Sequence, residues 1–168
     1  MKSIKDETNL VNKKILLRLD LNVPIVSNKI TDTTRIDKIL PTLEFLINQN
    51  TRIIIISHVG RPKGKIINDL SLNLICKELS KKLNQNVKLF SKNIKEIDSK
   101  KLFNNNDERV IMLENIRFYP EEEENNEKFA KHLSTLADIY VNDAFSCSHR
   151  AHASIHKITN FLPSYSGL

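Results

Sequence analysis

Arg52-Ile53-Ile54-Ile55-Ile56-Ser57-His58-Val59-Gly60-Arg61-Pro62-Lys63-Gly64-Lys65 begins as an apolar run and ends as a basic loop. Four consecutive β-branched residues without alternation read as a strand buried on both faces, as found in a parallel sheet covered by helices. The polar tail is therefore the strand's carboxyl end. In open α/β sheets ligands bind in the crevice outside those ends, which makes His58 and Arg61 binding candidates.

Outward from this strand the pattern repeats. Upstream, Lys14 to Leu19 is an apolar run that empties into Asp20-Leu21-Asn22-Val23-Pro24. Pro24 to Thr31 reads as a hairpin excursion. Thr33 or Thr34 then caps a helix whose apolar positions Ile36, Ile39, Leu40, Leu43, Leu46 and Ile47 follow the 3.6 period. Pro41 is expected to kink or break that helix. Arg35 falls in its first turn, at the dipole end that favours anions. Downstream, Leu72, Ile75, Cys76, Leu79 and Leu83 give a second helix, with Cys76 as a buried small hydrophobe. Val87 to Phe90 is a short strand, and 91–108 is expected mostly as loop. Arg109 to Leu113 is a strand that exits into Glu114-Asn115-Ile116-Arg117-Phe118. The acidic run Glu121 to Glu124 fronts a helix carrying Phe129, Ala130, Leu133 and Leu136, and is expected as a solvated charge run. Ala137 to Asn142 is the last strand, leaving through Asp143 toward His149-Arg150-Ala151-His152. A short helix is expected through Ile155 and Ile158, and 163–168 has no partner for its apolar residues.

Strands alternating with helices predict an α/β fold: a doubly wound parallel sheet, Rossmann-like and three-layered. At 168 residues the chain is long enough for one core of its own. It is 40% hydrophobic and 27% charged with a net charge of +6, which suits a soluble protein that binds anions. Aromatics make up only 6% and the lysines are scattered, which argues against a stacking platform for nucleic acid. Cys76 and Cys147 suggest no disulfide framework, and no apolar run approaches membrane length, so a cytoplasmic location is expected.

If the strand exits share one edge, Arg35, Arg61, Arg117 and Arg150 face one crevice with Asp20, Asn22 and His58. Planar guanidinium forks match phosphate and carboxylate oxygens bidentately, so the expected ligand is small and multiply anionic. Gly60 to Lys65 resembles a nucleotide P-loop only superficially. It is one residue short, Ile66 replaces the hydroxyl ligand, and Pro62 removes a backbone donor. Cys147, His149, His152 and His156 supply metal-ligand types but match no common zinc spacing, and no metal is expected in this chain.

Arg18-Leu19-Asp20-Leu21-Asn22-Val23-Pro24, Thr34-Arg35-Ile36, Ser57 to Pro62, Leu113 to Phe118 and Asn142-Asp143-Ala144-Phe145 through His149-Arg150-Ala151-His152 together resemble phosphoglycerate kinase. The resemblance implies one domain of a two-domain kinase family: residues 1–162 as the N-terminal substrate-binding domain, with 163–168 beginning a truncated interdomain helix. It implies phosphoryl transfer between ATP and 3-phosphoglycerate, with 3-phosphoglycerate or 1,3-bisphosphoglycerate bound by this half. Mg2+ with ATP or ADP is expected on the missing C-terminal domain, and the chain alone is expected to be inactive. By the same resemblance Asp20 and Asn22 hold the hydroxyl and carboxylate end. His58, Arg61, Arg117 and Arg150 surround the 3-phosphate, and Arg35 is the catalytic residue that reaches the phosphoryl in flight. Leu21 replaces a common Phe, Val59 a common Leu, and Ser146 a common Gly. The expected partners are these phosphoglycerates, without nucleic acid or membrane. A monomer is expected, with a C-terminal-domain fragment as the one protein partner left open. The alternative class is a stand-alone anion-binding module without catalysis.

Overall fold

A computed structural model describes residues 1–104 and 107–168. In it the isoleucine run Arg52–Ile56 is strand β4, the third strand of a six-stranded sheet. The others are β1 (Lys14–Leu19), β5 (Val87–Phe90), β6 (Val110–Leu113), β7 (Ile139–Asp143) and β8 (Ser164–Ser166). Their order is β5-β6-β4-β1-β7-β8, and every pairing is parallel. Two short strands, β2 (Ile25–Val26) and β3 (Lys29–Ile30), form the expected hairpin. Its turn residues Ser27 and Asn28 both have positive φ, which matches the twist of the flanking strands.

Burial on both faces explains the unbroken apolar runs. Ile53 and Ile55 join Ile15, Leu17 and Leu19 against helices α1 (Thr34–Asn48) and α2 (Asn73–Leu83). Ile54 and Ile56 join Leu16, Leu113 and Tyr140 against Phe129, Ala130 and Leu133 on the far side. Those last three belong to α4 (Glu127–Ser134), which follows the single turn α3 (Pro120–Glu123). The result is the doubly wound three-layer sandwich that the alternation predicts.

Several local expectations need correction. Pro41 lies inside α1 without interrupting it. It is exposed, as is Asp37 one turn earlier, so water can take up the carbonyl that loses its partner. Thr33 stands at the N-cap position of α1, but its side chain makes no capping hydrogen bond; Asp32 Oδ1 accepts from the Thr34 N–H at 2.8 Å instead. Within 91–108 there are two 3-10 turns, and Ile94, Ile97 and Leu102 enter the core, while 105–106 lie outside the described residues. The short helix expected through Ile155 and Ile158 is a series of turns ending in a 3-10 helix, Lys157–Asn160.

Residues 163–168 do not begin a helix. Ser164–Ser166 is the edge strand β8, in register with Tyr140 to Asn142, and Ser166 also bridges to Ser3. Pairing there satisfies the backbone groups on the outer edge of β7, which a helix at this position would leave open. Within 163–168 Tyr165 finds a partner, packing on one core, while Leu168 stays 44% exposed; just before it Phe161 and Leu162 pack on the other core.

Candidate functional site

The chain adds β4 and β6 on one side of β1 and then crosses to place β7 on the other. Such a reversal opens a crevice at the strands' carboxyl ends. A cavity of about 270 Å³ lies there, lined by Asp20, Asn22, Arg35, His58, Gly60, Arg61, Arg117, Ser146, Cys147 and Arg150. All seven candidate residues therefore meet at one place, brought in by the exits of four strands and the first turn of α1.

Short-range polar contacts hold these exits together. Ser57 Oγ accepts from the Leu21 N–H at 3.1 Å and donates to the Leu19 carbonyl at 2.8 Å, joining the ends of β1 and β4. Asn115 donates to the Val59 and Leu70 carbonyls, each at 2.9 Å, and accepts from the Arg117 N–H at 3.1 Å. It thereby fixes the 3-10 turn Ile116–Phe118 that presents Arg117. Gly60, at φ +65°, brings its N–H within 3.0 Å of Asn22 Oδ1, and a Cβ there would meet Leu70 at 2.7 Å.

The cavity holds one carboxylate among its four guanidinium groups, and that carboxylate is occupied. Asp20 Oδ1 lies 3.2 Å from Arg35 Nη1, which also donates to the Asn22 carbonyl at 2.9 Å. Asp20 Oδ2 accepts from Ser146 Oγ at 2.5 Å. Among the described residues Arg61, Arg117 and Arg150 have no carboxylate partner. Arg117 is buried and its Nε has no hydrogen-bond partner, and burial, partly offset by Glu123, pushes its pKa down. An uncompensated, part-desolvated guanidinium is a strong attractor for an anion. His58 is 3% exposed. Its burial, reinforced by the charges of Arg18 and Arg117 and by His152 and Arg150, pushes its pKa down to about 2. The ring is neutral and acts as a hydrogen-bonding group, adding no charge.

Three features were missed by reading motifs alone. Arg18, passed over as part of the β1 run, is fully buried behind the cavity and donates to His58 Nδ1 at 3.0 Å. Its signal was there: a lone arginine inside a strand apolar on both faces must be paired within the core. Ser154 accepts from Arg18 Nε at 3.0 Å. Glu122, expected in a solvated charge run, is 0% exposed and accepts from the Ser154 N–H and O–H at 2.7 and 2.5 Å. Pro120 starts the turn α3, which aims this glutamate inward while Glu123 and Glu124 remain exposed. Of the other histidines, His149 and His156 are exposed and His152 is buried with its Nδ1 unpartnered. Among the described residues no group of three or more His, Cys, Asp or Glu side chains converges on a metal position.

The loop after β4 uses its amides internally. Gly64 N–H donates to the Arg117 carbonyl at 3.1 Å, Lys65 N–H to the Pro62 carbonyl at 3.3 Å, and Gly60 N–H to Asn22. A nucleotide-phosphate cradle needs those donors free.

A family model described as phosphoglycerate kinase matches residues 4–168. The chain belongs to the phosphoglycerate kinase family. It is 53% identical over 156 residues to the phosphoglycerate kinase of Wolbachia pipientis subsp. Culex pipiens, covering 93% of this chain and 39% of that protein. With the phosphoglycerate kinase of Borreliella afzelii it shares 44% identity over 167 residues, covering 99% and 42%. The solved phosphoglycerate kinase of Coxiella burnetii superposes with a TM-score of 0.86 at 39% identity, over 98% of this chain and 40% of that one. That of Pyrococcus horikoshii gives 0.87 at 31% identity, over 99% and 42%. The chain thus spans about 40% of the length of the phosphoglycerate kinases it matches.

Proposed function

We propose that this chain is the N-terminal half of a phosphoglycerate kinase and holds 3-phosphoglycerate in the strand-exit cavity. The full reaction would be 1,3-bisphosphoglycerate + ADP = 3-phosphoglycerate + ATP. The observation that carries this reading is the cavity itself: Arg61, Arg117 and Arg150 meet there without carboxylate partners, beside the neutral donor His58. That set suits a phosphate dianion, which accepts several charge-assisted hydrogen bonds at once. Asp20 and Asn22 line the same cavity, where they would take the hydroxyl and carboxylate end of the ligand. Arg35 would exchange part of its contact with Asp20 for the reacting carboxyl oxygens. Phosphoryl transfer asks mainly for positioning and for cations where charge accumulates, which is what an exposed, re-aimable guanidinium supplies.

The loop after β4 does not fit the phosphates of a magnesium nucleotide, because the N–H groups of Gly60, Gly64 and Lys65 are spent within the fold and Pro62 has none. ATP or ADP with Mg2+ is assigned to the portion of the relatives' length that this chain does not span. The protein would work as a monomer in the cytoplasm, the place of the glycolytic step. Titration of 3-phosphoglycerate into the chain, followed by calorimetry and by chemical shift, tests the reading. Saturable binding that disturbs Asn22, His58, Arg117 and Arg150 together is the expected result, and no binding at millimolar ligand to folded protein would overturn it.

A further inference from the structure

Behind the cavity runs a chain of buried polar groups whose donor directions are fixed by chemistry. A guanidinium has only donors, so His58 Nδ1, 3.0 Å from Arg18 Nη2, must be the ring's unprotonated acceptor. The ring proton then sits on Nε2. Arg18 Nε donates to Ser154 Oγ at 3.0 Å, and the serine has one hydroxyl proton, which goes to Glu122 Oε2 at 2.5 Å. Arg18 Nη1 donates to the Leu19 carbonyl at 2.8 Å, so the guanidinium is held on three sides. Arg18, Ser154 and Glu122 are each 0% exposed.

From this we infer that Glu122 and Ser154 are positioning residues which, through Arg18, lock His58 as a neutral Nε2–H donor toward the anion in the cavity. The inference rests on the phosphoglycerate reading for the identity of that anion, while the lock itself does not.

Two physical demands lead to it. A buried guanidinium without a counter-charge is costly, and among the described residues the carboxylate linked to Arg18 by hydrogen bonds is Glu122, one hydroxyl away. Burial raises the pKa of Glu122, while Arg18 and the two hydrogen bonds from Ser154 favour its charged form; the link through Ser154 polarises each bond in the series and so strengthens the donation of Arg18 to the ring. The second demand is directional. A histidine free to change tautomer would present a lone pair to a phosphate part of the time, and an acceptor facing an acceptor repels it. Glu122 also reaches the arginine loop. Its backbone carbonyl accepts from the Ala153 N–H at 2.9 Å and its carboxylate from the Ser154 N–H at 2.7 Å, which pins the segment that follows Arg150. Tyr140 O–H donates to the Ser154 carbonyl at 2.6 Å and closes the far side. The charged and titratable groups around the ring are Arg18, Arg117, His152 and Arg150. Apart from His152 these carry fixed positive charge, so each of them opposes protonation of His58.

The test uses the 15N-labelled chain and the ring nitrogen resonances of His58. In the parent protein the expected signature is an Nε2–H tautomer that does not titrate between about pH 5 and 8. In S154A the ring should mix tautomers or titrate, and 3-phosphoglycerate should bind about tenfold more weakly, the loss expected when a buried donor is left unsatisfied. S154T, which keeps the hydroxyl, should restore both readings. An Nδ1–H tautomer or an ordinary titration in the parent chain overturns the inference without any variant, so a failure of S154A to fold does not shelter it. An S154A protein with the parent's ring signature and affinity overturns it as well. A parent ring with the expected signature and no 3-phosphoglycerate binding supports the lock and refutes the phosphoglycerate reading, which keeps the two failures apart.

Discussion

Arg117 and Arg35 face the same cavity from unlike surroundings. Arg117 is buried, and among the described residues its Nε has no hydrogen-bond partner, so an arriving phosphate would meet a donor still free to bond. Arg117→Ala is therefore expected to cost about 1.5–3 kcal/mol of 3-phosphoglycerate affinity, the range for a charge-assisted hydrogen bond, and calorimetry at parent-like affinity would refute it. Arg35 is exposed and already shared between Asp20 and the Asn22 carbonyl, so the ligand contact proposed for it would be gained by exchange. In a completed two-domain enzyme Arg35→Ala should lower kcat more than it raises KM, and an equal effect on both would remove its special role. Asp143 offers a test through pH. Burial, tempered by a hydrogen bond with Thr42, pushes its pKa up to about 6. Between its ordinary value and about 6 the folded chain holds a proton that the unfolded chain has lost, so this group's contribution to stability falls as pH rises through that window. Asp143→Asn should be more stable than the parent at about pH 7.5, with the gap closing toward pH 4 in urea unfolding; a gap independent of pH would contradict this. The candidates that could be read from sequence are those standing where an apolar run stops, such as Asp20 and His58. Arg18 and Glu122 could not be read that way, because one is hidden in a strand and the other in a run of like charges. Glu122 meets its partner Ser154 across 32 residues of chain, a separation with no local trace.

At the level of elements, the site depends on how the strand exits are tied to one another. Asn115 is the central tie, since it joins the loop after β4, the approach to α2 and the turn carrying Arg117. Asn115→Ala would leave one buried carbonyl, one part-buried carbonyl and one buried amide without their partner, at a cost of about 3 kcal/mol in denaturant unfolding. The same variant should weaken phosphoglycerate binding although Asn115 does not line the cavity, because Arg117 loses its fixed backbone. Parent-like stability together with parent-like affinity would show that the tie is dispensable. Strands β1, β4, β6 and β7 were legible because burial on both faces demands unbroken apolar runs. β8 was not, since Ser164-Tyr165-Ser166 carries no such run and is held by pairing to β7 and by Ser3. Its Tyr165 hydroxyl donates to Glu7 at 2.6 Å, a contact across nearly the whole length of the chain. Helices α1, α2 and α4 followed their periodicity, while the starts of α1 and α2 are tied by Asp32 and Glu114, Pro41 left α1 whole, and the helix expected through Ile155 and Ile158 is a series of turns.

For the whole molecule the question is whether this chain can transfer a phosphoryl group by itself. Transfer between ATP and a carboxylate needs the nucleotide's phosphates held in line with the acceptor by a second surface. The acceptor side is crowded with cations, and the net charge of +6 favours capture of small anions from solution. The nucleotide side would have to come from free backbone donors at a glycine-rich turn. Gly64 cannot serve: at φ +76° a Cβ would lie 2.9 Å from Pro120, and its N–H is spent on the Arg117 carbonyl, so this glycine exists to let the loop close over the Arg117 turn. The phosphoglycerate kinases it matches are about two and a half times as long as this chain, which leaves ample sequence for a second phosphate-binding surface. The purified chain is therefore expected to show no ATP-dependent phosphorylation of 3-phosphoglycerate in a coupled assay, and to gain it when a C-terminal half from the family is supplied. Turnover by the lone chain that Arg35→Ala abolished would mean that these residues bind nucleotide themselves, and the assignment of this cavity to the acceptor alone would fall.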